Sequence, residues 1–145
     1  DKYWVLGMNN PEVDSNNFKN IVLKMNEATR KKIIQEMITA CEVVSIPNHE
    51  INGDDRIYEF QNNAFLLSVN PDNSSDACVY VADLGNDVMR RDAKDQKEIL
   101  ETNLGRAATF YSWMTGKTFE LPDKYSYLQK KIEEDCKRII EYRKF

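Results

Sequence analysis

A chain of 145 residues with 41% hydrophobic and 30% charged side chains has room for one ordinary core, and the balance is that of a folded protein rather than a disordered one. Its formal net charge of −4 argues against nucleic acid as the main partner, because neutralising phosphates requires a basic face, and the run Arg30, Lys31, Lys32 reads as a solvated helix surface. No apolar stretch approaches the roughly 18 residues of a membrane span, so no membrane partner is expected.

Tyr3 to Met8 reads as a short strand closed by the turn cluster Asn9, Asn10, Pro11, so residues 1–15 supply an additional N-terminal strand and linker. Ser15 or Asn16 can cap the next segment. There Phe18, Ile21, Val22 and Met25, then Ile33, Ile34, Met37, Ile38 and Cys41, keep helical spacing, which predicts one long helix or two broken near Asn26. Val43 to Ile46 reads as a strand that Pro47 ends. Asn52-Gly53 suits a tight turn into a strand at Ile57 to Gln61, and Asn62-Asn63 makes another turn into Phe65 to Asn70. The loop Pro71 to Asp76 leads to a strand from Cys78, with Cys78, Tyr80, Ala82 and Leu84 on one face and Val79 and Val81 on the other. Apolar groups on both faces place that strand inside a sheet.

After Gly85 comes a charged loop, and Ile99, Leu100 and Leu104 then return to helical spacing. Residues 106–121 admit two readings. The helix continues to a stop at Gly116, or Thr109 to Met114 and Lys117 to Leu121 form a hairpin around Thr115-Gly116. The cost of about 1 kcal/mol for Gly105 inside a helix, and the aromatic and β-branched content, favour the hairpin. Pro122-Asp123 opens a last helix with Tyr125, Leu128, Ile132, Cys136, Ile139 and Ile140 on one side. The sum is a single α+β domain over residues 1–145, an antiparallel β-meander flanked by an N-terminal helix and a long C-terminal helix.

Reaction chemistry is hard to find. Cys41, Cys78 and Cys136 lack the spacing of a zinc site or a disulfide framework, so a reducing, cytoplasmic setting is the simplest expectation. Asn73-Ser74-Ser75 would be a glycosylation acceptor only in a secreted eukaryotic protein. His49, the one histidine, lies near Cys41 and Glu50 in sequence, yet Cys41 belongs to the packed face of a helix. Gly116-Lys117-Thr118 lacks the earlier glycine of a phosphate loop, and Glu133, Glu134 and Asp135 splay around their helix. No catalytic residue, metal ligand or cofactor is expected, and the chain reads as a non-enzyme.

Surfaces are more informative. Several strands are apolar on both sides, Tyr58 and Phe60 opposing Ile57 and Leu66 opposing Phe65 and Leu67, so one sheet face is open to a partner chain unless helices cover both. Val44, Ile46, Tyr58, Phe60 and Leu66 are the candidate partner-binding residues.

The order of elements, the strand ending Ala82-Asp83-Leu84-Gly85 and the segment Ile99-Leu100-Glu101-Thr102-Asn103-Leu104 resemble the CesT/Tir-type, class I chaperones of type III secretion, from about Asn16 onward. The resemblance implies a small acidic cytoplasmic homodimer whose interface includes Ile99, Leu100, Asn103 and Leu104, holding an extended segment of a secreted effector and needing no cofactor. Two other readings stand beside it. An immunity protein or inhibitor would bind a folded basic toxin, and a small enzyme would depend on His49.

Overall fold

The computed structural model describes residues 2–46, 57–82, 88–91 and 96–145, with backbone alone for 88–91. Helices and antiparallel strands share one α+β domain, as the sequence predicts. Strand β1 (Trp4–Leu6) runs into a 3-10 turn (Pro11–Asp14), which Asn10 opens by accepting the Glu12 N–H. Helix α1 (Asn16–Leu23) starts where the Ser15 hydroxyl accepts the Phe18 N–H at 3.2 Å. Helix α2 (Glu27–Val44) starts where the Asn26 side chain accepts the Thr29 N–H at 2.8 Å. The break expected near Asn26 is therefore a helix cap, satisfying amides that the first turn leaves unpaired.

Helix α2 overturns the strand predicted at Val43 to Ile46. Its buried face, Ile33, Met37, Ile38 and Cys41, continues in phase to half-buried Val44, and the Ser45 N–H still reaches the Cys41 carbonyl at 3.1 Å. A handful of β-branched residues shifts propensity by tenths of a kcal/mol each, which an anchored helix outweighs.

The strands that follow are β2 (Ile57–Phe60), β3 (Phe65–Asn70), β4 (Asn73–Val81) and β5 (Val88–Arg91). They do not form one meander. The larger sheet has the order β1-β3-β4, and β2 pairs separately with β5. The N-terminal strand thus completes the sheet, with Trp4 opposite Val69 and Leu6 opposite Leu67. Strand β3, not β4, is central. Strand β4 begins at Asn73, five residues before the expected start at Cys78, and lies at an edge. The expected turn at Asn52-Gly53, His49, Glu50 and the end of the strand at Asp83 to Gly85 lie outside the described residues.

Helix α3 (Gln96–Thr115) replaces the predicted hairpin. Ile99, Asn103, Leu104, Ala107, Ala108, Tyr111 and Met114 bury one continuous side, which outweighs the local preference of a few aromatic residues for strand. Gly105 faces outward, with nothing within 4 Å of where a Cβ would stand. Gly116 ends the helix at φ +68°, with its N–H on the Ser112 carbonyl at 2.9 Å, a conformation that favours glycine. A Cβ there would lie 2.6 Å from the Phe145 ring. The chain from Lys117 to Leu121 is irregular, and Phe119 buries its ring edge-on against Tyr111. A second 3-10 turn (Asp123–Tyr125) leads into α4 (Ser126–Arg143).

The core lies between the inner face of the large sheet and the helices. Phe65, Leu67, Val69 and Ala77 from β3 and β4 join Phe18, Met37, Leu104, Phe110 and Tyr111. Arg143, nearly buried, locks the end of α4 to the beginning of the fold. Its guanidinium donates to the Val13 carbonyl at 3.0 Å, to the Trp113 carbonyl at 3.1 Å and to the Asp14 carboxylate, while stacking over Trp113.

Candidate functional site

Strand alternation decides what the other side of the sheet presents. In β1, Trp4 and Leu6 turn inward, so Tyr3 and Val5 turn out. The register then sets Val5 opposite Ser68, Leu66 opposite Tyr80 and Ser68 opposite Cys78, all on this outer side. Tyr3 is 47%, Val5 48% and Tyr80 54% exposed, and Leu66 and Cys78 are half-buried. None of these five belongs to the core cluster. Gly7 extends the same row, and a Cβ there would press on Leu66 at 3.1 Å, so its absence lets Leu66 lie flat.

Apart from Ser68, buried at its centre, the row is apolar, and acid bounds it at one end. Asp72 lies in the β3–β4 turn and Asp76 follows within β4, where it accepts hydrogen bonds from the Tyr3 hydroxyl and from Asn70. The bond to Asp76 raises the Tyr3 phenol above its ordinary value, and Cys78 does the same for Tyr80, so both rings stay neutral.

One edge of each sheet, by contrast, is covered. Along β4 the Ser75 carbonyl accepts from Thr29 at 3.4 Å, the Ala77 carbonyl from Lys32 at 2.8 Å, and the Val79 N–H donates to Glu36 at 3.0 Å. Helix α2 thus occupies outward groups at three alternate residues of the edge. Helix α3 does the same for β2. Asn103 accepts the Phe60 N–H at 2.8 Å and donates to the Tyr58 carbonyl at 2.9 Å and to Ser45 at 3.0 Å. Arg106 adds a bond to the Phe60 carbonyl at 3.2 Å and one to Asn62 at 2.5 Å.

The residues expected at the surface divide accordingly. Ile99, Asn103 and Leu104, read as dimer contacts, are wholly enclosed by their own chain and supply core and strand anchoring; Leu100 alone of that group is half-buried at the surface. Phe60, read as partner-binding, is also enclosed, edge-on to Phe65 at 5.1 Å. Val44 and Tyr58 are half-buried, and Ile46 is exposed just beyond the end of α2. Leu66 is the one that falls on the open face. Tyr3, Val5, Cys78 and Tyr80 were missed, although the alternation of Trp4 and Leu6 against Tyr3 and Val5 was a usable signal.

The groups weighed for catalysis have other employment. Cys41 is enclosed, and burial pushes its thiol well up, which disfavours the thiolate a nucleophile needs. Around Gly116, Lys117 and Thr118 the backbone closes a helix end, the Lys117 carbonyl accepting from Ser112 at 2.7 Å. Glu133 accepts from Gln129 at 3.0 Å and Asp135 pairs with Arg138. Among the described residues no three or more histidine, cysteine, aspartate or glutamate side chains gather as metal ligands, and no helix is long and apolar enough to cross a membrane. A cleft of about 430 Å³ between α3 and α4, bordered by Glu101, Gly105, Arg106 and Lys131, is shallow and mixed in charge.

Compared with known proteins, the chain matches no family model, no curated protein and no solved structure.

Proposed function

We propose that this is a non-catalytic binding protein that holds an apolar segment of another polypeptide on the open face of its sheet, the role of a cytoplasmic secretion chaperone. The observation that carries the reading is the outer row of Tyr3, Val5, Leu66, Cys78 and Tyr80 around the small, buried Ser68, over which no helix is laid among the described residues. The chain's net charge of −4 helps keep a complex with a greasy segment in solution. The modest size of the face weighs for a segment over a folded toxin, since a stable complex of folded partners buries about 800 Å² on each side.

The test uses reduced, carboxymethylated lactalbumin, a permanently unfolded chain. Wild-type protein is expected to bind it, and a Val5→Lys, Tyr80→Lys variant to bind at least tenfold more weakly, because each change sets a charge where apolar contact is needed. No binding by wild type, or equal binding by both, overturns the reading. Self-association through α3 rests on Leu100. Leu100→Asp is expected to turn a dimer into a monomer by light scattering, and a monomeric wild type removes that part of the proposal.

A further inference from the structure

The conformation of the bound segment follows from the covered edges and the dimensions of the open face, given the binding role proposed above. An extended segment that adds to a sheet needs a row of free backbone groups. Along β4, α2 holds the outward groups of Ser75, Ala77 and Val79, and β1, at the opposite edge, is three residues long. The flat side is the larger surface left open among the described residues.

Three strands at about 4.8 Å spacing make a face about 14 Å wide, and five residues at about 3.3 Å each make it about 17 Å long. Its area is on the order of 250 Å², well under the roughly 800 Å² per side of a second copy or a folded partner. A single α-helix, about 10 Å across and rising about 1.5 Å per residue, covers it with about 11 residues. The charges add a direction. Asp76 stands toward the turn end of the face, where it accepts from the Tyr3 hydroxyl.

We propose that the open face seats one amphipathic helix of about three turns, apolar toward Val5, Leu66 and Tyr80 and carrying lysine or arginine toward Asp76. The helix lies on the sheet, as a layer of the chain's own would, and adds no strand to it.

Two fluorescein-labelled 14-residue peptides of identical leucine, alanine and lysine content test this by anisotropy at near-physiological salt. One places leucine at helical spacing and the other alternates leucine with lysine. The helical order is expected to bind at least tenfold more tightly, to gain helical circular dichroism on binding, and to weaken severalfold against Asp76→Asn. Val5→Lys, and separately Tyr80→Glu, are expected to abolish binding, whereas Val43→Lys, at an exposed apolar site on α2, leaves it unchanged. Binding of the alternating peptide as tightly as the helical one overturns the helical occupant and leaves the binding role standing. So does failure of both peptides while unfolded lactalbumin still binds. Failure of all three ligands overturns the binding role as well. Peptide binding indifferent to Val5→Lys and Tyr80→Glu overturns the assignment to this face.

Discussion

Asn103 makes three hydrogen bonds inside the protein, and the alternatives open to its partners are poor. Truncation to alanine would strand the Phe60 N–H, remove the bond to the Tyr58 carbonyl and leave a buried void. Asn103→Ala is expected to cost about 3 kcal/mol in urea unfolding without altering the oligomeric state, whereas a dimer contact at this position would move both. Arg143 is a comparable anchor. Arg143→Ala is expected to cost about 3 kcal/mol, and Arg143→Lys to recover a minor part of it, because one ammonium cannot span two carbonyls and a carboxylate while stacking over Trp113. The spacing of Ile99, Asn103 and Leu104 was legible as one helix face. Its covering was not, since period tells which residues share a side and nothing about whether that side meets the same chain or another. Arg143 gave no signal at all. Its value depends on Val13 and Asp14, far away in sequence.

Elements were read well where capping chemistry was local. Ser15 and Asn26 start their helices as their side chains dictate, and Phe65 to Asn70 forms the strand its residues suggest. They were misread where local preference ran against packing, at Val43 to Ile46 and over residues 106–121. Gly105 is the informative case. It argued for a hairpin, yet in α3 the space its Cβ would fill is open, and it merely weakens the helix. Gly105→Ala is therefore expected to raise stability by about 1 kcal/mol in urea unfolding. A loss of stability would mean that the helix does not run through this position as described. Gly116→Ala should do the opposite, because it combines a strained φ of +68° with a collision against the Phe145 ring. The pairing of β1 with β3 was beyond reach of the local pattern, since joining order in a sheet is set by non-local contacts.

At the scale of the whole molecule, one carboxylate joins α2 to the turn ahead of α4. Burial alone would raise Glu42, but hydrogen bonds from Lys124 at 2.6 Å and from the Tyr125 hydroxyl, with the Lys124 charge, outweigh it and hold the carboxyl below its ordinary 4.5. A carboxylate depressed by folding contributes stability that is present above its unfolded value and lost as pH falls through the folded one. Stability is thus expected to decline on acidification below about 4.5, and Glu42→Gln to flatten that decline in urea titrations at successive pH values while lowering stability at neutral pH. An unchanged pH profile in Glu42→Gln would remove the linkage from this site. The exposed Glu27–Lys31 pair shifts in the same favourable sense but is open to water and salt, so little is expected of it.

The seat of β1 beside β3 sets a timetable for biosynthesis. On the ribosome Leu6 is made long before Leu67 emerges to pair with it, a wait of several seconds at roughly 5–20 residues per second. During that interval Trp4 has a nearer companion in Phe18, on which it stacks with ring centres 6.0 Å apart in the finished fold. This stretch of nascent chain thus has a local shelter for the Trp4 ring until the hairpin of β3 and β4 arrives to receive it.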